Sequence, residues 1–142
     1  MRFTVSVDFD GVIALLEEDE HPAIGEMMPG VGKFLKWCRR RGFCLILDTC
    51  REDDNLEMAL RWMEARDLRK YFEYINTNSE ERIRHYGKDC RKISVNMSID
   101  DTDAGFPVRE VKSCKKVYRY VRWDKLQLYL REAERRFLKS HR

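Results

Sequence analysis

Two aspartates, Asp8 and Asp10, stand two positions apart at the end of an apolar segment, within the stretch SVDFDGVIALL. The residues before them alternate between apolar and polar side chains, a pattern that predicts a β-strand. Because successive side chains of a strand point to opposite faces, both aspartates are expected on the same side. Two carboxylates held in this way can bind a cation, act as a nucleophile or transfer a proton.

A second carboxylate pair, Asp100 and Asp101, follows the stretch ISVNMSI, and a hydroxyl residue, Thr49, follows the apolar run FCLILD. A lone D-x-D is more typical of a turn or a helix cap, but four aspartates at the ends of two predicted strands favour a functional site. Carboxylates that converge repel one another, which raises their pKa values or requires a cation. Oxygen ligands of this kind suit Mg²⁺.

A cation bound at such a site could hold a phosphate group. A carboxylate in line with the phosphorus of a bound ester can attack it and form an aspartyl-phosphate, which divides one difficult displacement into two easier ones. A second carboxylate nearby can protonate the leaving alcohol and later activate water.

The elements that must position these residues alternate along the chain. Strands are predicted at RFTVSVDFD, FCLILDT, FEYINTN and ISVNMSID, with a fifth at KVYRYV. Helices are predicted at 28–42, at 53–68 and near the C-terminus, with a short helix after the third strand, whereas residues 12–28 are expected to form a loop or flap. This order predicts a doubly wound α/β protein, a three-layer Rossmann-like sandwich with a mainly parallel sheet. In such sheets ligands bind beyond the carboxyl ends of the strands, where these polar residues stand.

Apolar residues at three-four spacing define the buried face expected of each longer helix. The first stripe consists of Val31, Phe34, Leu35 and Cys38, the second of Leu56, Ala59, Leu60 and Met63, and the last of Leu126, Leu130, Ala133 and Phe137. Asp53, Asp54 or Asn55 is expected to cap the second helix.

Length and composition limit the class of protein. The 142 residues fit one domain spanning 1–142, and the 43% hydrophobic and 37% charged content is typical of a soluble globular chain. No apolar run approaches the roughly 20 residues of a membrane span, and the N-terminus has no signal-like pattern, so we expect a cytoplasmic protein without a membrane partner. Five scattered cysteines without a C-x-x-C pair favour reduced thiols over a disulfide framework or a zinc site.

Three segments resemble motifs of the haloacid dehalogenase superfamily. DFDGVI resembles its motif I, LILDTCRE stands in the place of motif II, and SIDDTDAG stands in the place of motif IV, so that the resemblance covers about the first 107 residues. The stretch HPAIGEMMPG and the compact IDDTDAG resemble small members of the superfamily that lack a cap domain. Only 38 residues separate Asp10 from Thr49, which leaves no room for a cap there.

The resemblance implies a role for each motif residue. Asp8 would be the nucleophile and a metal ligand, and Asp10 the general acid and base, with its backbone carbonyl also reaching the metal. Thr49 would bind the transferring phosphoryl group, while Asp100, with Asp101 beside it, would complete the Mg²⁺ shell. An aspartate at position 10 favours phosphate-ester chemistry over cleavage of carbon–halogen or carbon–phosphorus bonds.

The motif III lysine, which would neutralise the phosphoryl charge, is assigned to Lys92, with Lys88 as the alternative. Arg51 is expected to anchor the substrate through its bidentate guanidinium group, and an ordinary loop arginine is an equal alternative. Gly11 of motif I is expected beside the substrate.

Residues of the flap and of the second motif have weaker assignments. His21 and the acidic run 17–20 are candidates for gating or specificity, although acidic loops are usually only solvated. Cys50 follows Thr49, yet the aspartate already fills the nucleophile's role, so a packed thiol is expected.

The C-terminal segment is basic, since residues 115–142 contain ten Lys and Arg against three Asp and Glu. Its aromatic residues are expected to fill the core and its basic residues to lie in solvent, with nucleic-acid binding as the alternative. The predicted function is Mg²⁺-dependent hydrolysis of a phosphomonoester, with a nucleotide or sugar phosphate as the default substrate. Alternatives are a polynucleotide-end phosphatase and a non-catalytic module that binds nucleotide or RNA, and a homo-oligomer that closes the open site is also compatible.

Overall fold

Strands and helices alternate through the first two thirds of the computed structural model, which describes residues 1–16 and 21–142. The elements are, in chain order, β1 (Thr4–Val7), α1 (Val31–Arg40), β2 (Cys44–Leu47), α2 (Asp53–Ala65), a short 3₁₀-helix (Arg69–Tyr71), β3 (Tyr74–Ile75), α3 (Glu80–Tyr86), β4 (Met97–Ile99), β5 (Val108–Ser113), β6 (Lys116–Val121) and α4 (Trp123–Ser140). Strands β1 to β4 form one parallel sheet in the order β3-β2-β1-β4. The predicted α/β class with a parallel sheet is confirmed.

β1 lies in the interior of the sheet, and all four of its residues are buried. Val5 and Val7 belong to the hydrophobic core, as the alternating pattern predicts. On the opposite face, Thr4 and Ser6 are also buried, and the Ser6 hydroxyl donates to the Ser98 hydroxyl of β4 at 3.0 Å. The polar half of the alternation is therefore covered by protein and satisfied by hydrogen bonds.

The register of the sheet determines which of the residues that follow the strands lie side by side. Val7 of β1 is the partner of Leu47 in β2 and of Ile99 in β4. The next residue along each parallel strand therefore leaves the sheet at the same edge. These next residues are Asp8, Asp48 and Asp100.

The three longer helices bury the faces that their spacing predicts. All four predicted residues of α1 are buried, and Ala59 and Met63 of α2 and Leu126 and Leu130 of α4 are buried as well. The remaining predicted residues pack partly buried against the same core: Leu56, Leu60, Ala133 and Phe137. The prediction of an α2 cap at 53–55 is wrong, because the N-cap position is Glu52, which makes no capping hydrogen bond through its side chain.

The fifth predicted strand exists as β6, but it pairs with β5 in a separate antiparallel hairpin and not with the parallel sheet. β5 had no sequence prediction, because its residues VREVKS alternate weakly and are mostly charged or polar. The base of the hairpin is closed by a hydrogen bond from Arg122 N to Pro107 O of 2.9 Å.

The segment predicted as a flap begins inside the core. Val12, Ile13, Ala14 and Leu15 are buried, and Ala14 forms an antiparallel bridge with Met27. The apolar segment VIAL, which follows Gly11, therefore belongs to the core and not to an exposed loop. The acidic run 17–20, a candidate for gating, lies outside the described residues.

Two further properties bear on the class of protein. Within residues 1–16 and 21–142, no helix is both long and apolar enough to act as a membrane span. The five cysteines are free thiols, and Cys38 and Cys44 are buried.

Candidate active site at the carboxyl edge of the sheet

Three carboxylates converge where β1 and β4 end. Asp8, Asp100 and Asp101 each direct one oxygen into a group whose members all lie within 4.8 Å of one another. Asp8 follows β1 directly, and its backbone N–H continues the β1–β4 pairing by donating to Ile99 O at 2.9 Å. Adjacent parallel strands thus bring together residues that are more than 90 positions apart in sequence.

The electrostatics of this group are those of crowded acids. The pKa of Asp8 is raised to about 8, chiefly by burial and also by the nearby charges of Asp100 and Asp101, against the lowering effect of a hydrogen bond from Phe9 N. Burial also raises the pKa of Asp101, with a contribution from Asp100. Asp8 is therefore expected to keep its proton at neutral pH unless a positive charge compensates for its burial and for the neighbouring carboxylates.

Hydrogen bonds and a nearby glycine position Asp100 and Asp101, the two carboxylates that follow β4. The backbone N–H and the hydroxyl of Thr102 both donate to Oδ1 of Asp100, at 3.0 and 2.8 Å. Gly11 has φ +83°, a conformation that favours glycine, and a Cβ at this position would overlap the carboxylate of Asp101. The glycine of the D-x-D-G pattern therefore makes room for a carboxylate of the group.

Asp10 lies apart from this group and pairs with Arg51. Nε of Arg51 donates to Oδ2 of Asp10 at 2.8 Å, and Nη2 donates to Oδ1 at 2.9 Å. Nη1 of Arg51 also donates to Pro22 O at 2.9 Å, and only 1% of the arginine side chain is exposed. The guanidinium group expected to anchor a substrate is thus occupied by Asp10 and by the backbone after His21.

Thr49 stands at the end of β2 in a loop ordered by an asparagine. Its backbone N–H donates to Oδ1 of Asn76 at 2.8 Å, and its hydroxyl accepts from Arg51 N at 3.1 Å. The Asn76 amide group also donates to Arg51 O at 3.3 Å. One side chain at the end of β3 therefore fixes the backbone on both sides of Cys50.

A cleft of about 650 Å³ opens beside Asp10. Its lining is largely polar and acidic: Asp10, Leu16, His21, Cys50, Arg51, Glu52, Asp53, Asp54 and Asn55. Two residues with weak sequence assignments, His21 and Cys50, therefore border the cleft. This space is large enough for the leaving group of a small ester.

The two lysines considered for motif III lie in the segment between α3 and β4. Lys92 lines a second cleft, of about 520 Å³, together with Ser98 of β4, and its backbone carbonyl accepts from Asn78 Nδ2 at 3.4 Å. Lys88 is exposed. In the part of the chain that the structure describes, neither side chain forms a salt bridge with the carboxylates, so the choice between them stays a prediction.

Two residues of the site had no sequence prediction. Asp48 lies level with Asp8 and Asp100, and burial together with the charge of Asp100 raises its pKa. Asn76 has the positioning role described above. Both follow a strand directly, so the rule that ligand sites lie beyond strand ends would have found them if applied to every polar residue there.

The donor set fits a hard divalent cation. Three carboxylate oxygens within 4.8 Å of one another are the ligands that Mg²⁺ prefers, and a cation there would offset both the burial and the carboxylate repulsion that raise the pKa of Asp8. Asp8, Asp100 and Asp101 are the residues that would hold it.

Fold and site together define an α/β protein with a Rossmann-like parallel sheet and a carboxylate group at the carboxyl edge of that sheet. The chain is similar to a solved structure of a conserved protein from Bacteroides thetaiotaomicron, with 34% identity over 74% of this chain and 80% of that one and a TM-score of 0.61. It belongs to the same family as that protein. No protein-family model and no curated protein matches the sequence.

Proposed function

We propose that this chain is a Mg²⁺-dependent phosphohydrolase of the haloacid dehalogenase type without a cap domain, which cleaves a phosphomonoester through an aspartyl-phosphate on Asp8. The observation that carries the proposal is the convergence of Asp8, Asp100 and Asp101 at the ends of neighbouring strands. The three motifs of the resemblance supply the residues, and the register of β1 and β4 supplies their proximity.

In the first step, a carboxylate oxygen of Asp8 attacks the phosphorus, and the bond from phosphorus to the ester oxygen breaks. Asp10 gives its proton to the leaving oxygen, which departs as an alcohol. In the second step, Asp10 takes a proton from a water molecule as that water attacks the phosphorus, the bond to Asp8 breaks, and inorganic phosphate leaves. A bound Mg²⁺ would supply charge neutralisation for the phosphoryl oxygens.

The pairing with Arg51 bears on the role of Asp10. Both oxygens of Asp10 accept hydrogen bonds from Arg51, so neither oxygen is free to exchange a proton with the substrate while the pair is intact. For the first step, Asp10 must leave the guanidinium group and gain a proton. We assign Arg51 as a positioning residue that holds Asp10 beside the cleft between turnovers.

The lining of the cleft bears on the substrate. A small phosphorylated metabolite with a polar, hydroxyl-rich leaving group, such as a sugar phosphate, fits a cleft in which carboxylates and Asn55 supply hydrogen-bond partners. The polynucleotide end is the second candidate, and the basic hairpin β5–β6 favours it, because its base lies at the same edge of the molecule as the carboxylates.

The test is phosphate release from a panel of sugar phosphates, nucleotides and end-phosphorylated oligonucleotides, with Mg²⁺ and then with excess chelator. Asp8→Asn is expected to abolish turnover because the nucleophile is lost. The matched control is Asp67→Asn, at an exposed position whose φ of +59° asparagine adopts readily. If the folded protein binds Mg²⁺ but leaves every substrate intact, the non-catalytic binding module becomes the better explanation.

A further inference from the structure

The hairpin β5–β6 is a basic ribbon. Between Val108 and Val121 it contains five Lys and Arg residues, namely Arg109, Lys112, Lys115, Lys116 and Arg119, against one acidic residue, Glu110. Each strand has six residues, so the ribbon is about 20 Å long. In the part of the chain that the structure describes, its two strands form a separate two-stranded sheet.

Four of these cations have no salt-bridge partner within residues 1–16 and 21–142. Among the described residues, Arg109, Lys112, Lys115 and Arg119 form no salt bridge, and all four are exposed. Arginines elsewhere on the surface are commonly paired, for example Arg2 with Glu73 and Arg41 with Glu134. A two-stranded ribbon that carries exposed cations without salt-bridge partners has a surface to which a polyanion can bind.

Aromatic side chains accompany the charges. Tyr118 and Tyr120 are half-buried on one face of β6, with ring centroids 6.3 Å apart and planes inclined by 25°. The register places Tyr120 opposite Arg109 and Tyr118 opposite Val111. Lys112 and Arg119 lie on the other face of the ribbon, and both tyrosines pack partly buried against the hydrophobic core. Arg109 beside the partly exposed Tyr120 is the combination with which proteins bind single-stranded nucleic acid, through phosphates and through bases respectively.

We propose that the ribbon β5–β6 is a binding surface for single-stranded nucleic acid. Charge complementarity with the phosphate backbone carries the proposal, and the tyrosines favour a strand with unpaired bases over other polyanions. An anionic membrane fits less well, because the only exposed large apolar side chain described on the ribbon is Val117. The inference goes beyond the proposed reaction, since the ribbon can bind a strand whether or not Asp8 is phosphorylated.

The ribbon also has a defined position relative to the carboxylates. Its base, at Pro107 and Arg122, begins seven residues after Asp100. Trp123, the next residue, donates from Nε1 to Pro29 O at 2.7 Å, just before α1. α1 ends where β2 begins, at the amino edge of the parallel sheet, so α1 starts at the carboxyl edge. Pro29, just before α1, therefore lies at the same edge of the sheet as Asp8. A strand bound along the ribbon would therefore pass near the proposed active site.

The experiment is fluorescence anisotropy of a labelled 12-nucleotide single strand, as DNA and as RNA, with chelator present so that no turnover occurs. If four cations contact phosphates, the slope of log K against log salt is about −2.8, and affinity falls about 50-fold between 50 and 200 mM salt. The variant R109Q/K112Q/K115Q/R119Q is expected to lose that salt dependence and most of the binding.

The matched control is K33Q/K36Q/R84Q/K139Q, which removes the same charge from exposed positions on α1, α3 and α4. It is expected to keep the wild-type slope. Should the fourfold ribbon variant fail to fold, the double variants R109Q/K112Q and K115Q/R119Q are each expected to lose about half of the slope.

The proposal is overturned if the control loses as much affinity as the ribbon variant, or if wild type binds neither strand at 50 mM salt. Equal binding to vesicles with anionic lipid would also overturn it in favour of a membrane surface. Asp8→Asn is expected to bind the strand as wild type does, so a failure of the proposed reaction and a failure of this inference are separable.

Discussion

Asp8 is the residue on which most of the chemistry depends, and its surroundings oppose its ionisation. Burial and two neighbouring carboxylates raise its pKa to about 8, whereas an aspartate in an unfolded chain titrates near 4. Between these values the folded state retains a proton that the unfolded state has released. The stability of the metal-free protein is therefore expected to fall as the pH rises from about 4 to about 8.

Asp8→Asn removes this effect, because an amide does not titrate. In chelator at pH 8, the variant is expected to have a larger free energy of unfolding than wild type, on the order of 5 kcal/mol, with little difference at pH 4. Urea unfolding across this pH range measures it. The control Asp67→Asn should follow the wild-type pH dependence, and a variant curve parallel to wild type would contradict the account of Asp8.

Arg51 allows a second prediction for a single residue. Arg51→Lys keeps the charge but loses the two-point contact with Asp10 and the contact with Pro22, so we expect the free energy of unfolding to fall by about 1–3 kcal/mol. Turnover should fall, with kcat affected more than KM. Arg61→Lys is the matched control, because its pair with Glu57 is exposed and is worth about 0.3–0.5 kcal/mol. If Arg51→Lys has the kcat and the stability of wild type, Arg51 does not position Asp10.

At the level of the elements, Asn76 couples the ends of two parallel strands, β2 and β3. This residue has φ +52° and accepts from Thr49 N while donating to Arg51 O. Asn76→Gly, which tolerates this φ, is expected to lower the free energy of unfolding by about 1–2 kcal/mol and to reduce turnover. Asn76→Asp retains the acceptor for Thr49 N and is expected to recover part of the activity. Equal loss of turnover in both variants would show that the hydrogen bond from Thr49 N to residue 76 does not support activity.

The elements also show which sequence patterns were informative. Helical spacing correctly identified the buried faces of α1, α2 and α4, because each helix packs its apolar stripe on the same core. Sequence reasoning did not detect β5 or place β6, since a ribbon outside the main sheet has no continuous apolar run and depends on its partner strand for its conformation. The predicted N-cap of α2 was wrong because several acidic residues stand together there, and the spacing of apolar residues does not show which of them occupies the N-cap position.

At the scale of the whole molecule, one cluster of buried residues connects the parallel sheet with α1, α2 and α4. Leu130 of α4 is fully buried, whereas Leu128 of the same helix is 63% exposed. Leu130→Ala is expected to lower the free energy of unfolding by about 2–5 kcal/mol, and Leu128→Ala by less than about 0.5 kcal/mol.

The same pair of variants tests the expectation of a single domain. If the chain unfolds as one unit, circular dichroism and tryptophan fluorescence will report coincident transitions for wild type and for Leu130→Ala. Two separated transitions, with only one of them shifted by Leu130→Ala, would show that α4 unfolds independently of the sheet.

The sequence by itself determined the class of fold, the buried helix faces and the strand ends at which aspartates stand, because these follow from periodicity along a continuous stretch of chain. Only the tertiary structure decided which of those aspartates meet. The strand order places β4 beside β1 and so unites Asp100 and Asp101 with Asp8, whereas Arg51 draws Asp10 toward the cleft. Proximity between residues far apart in sequence depends on strand order and register, which local patterns do not encode.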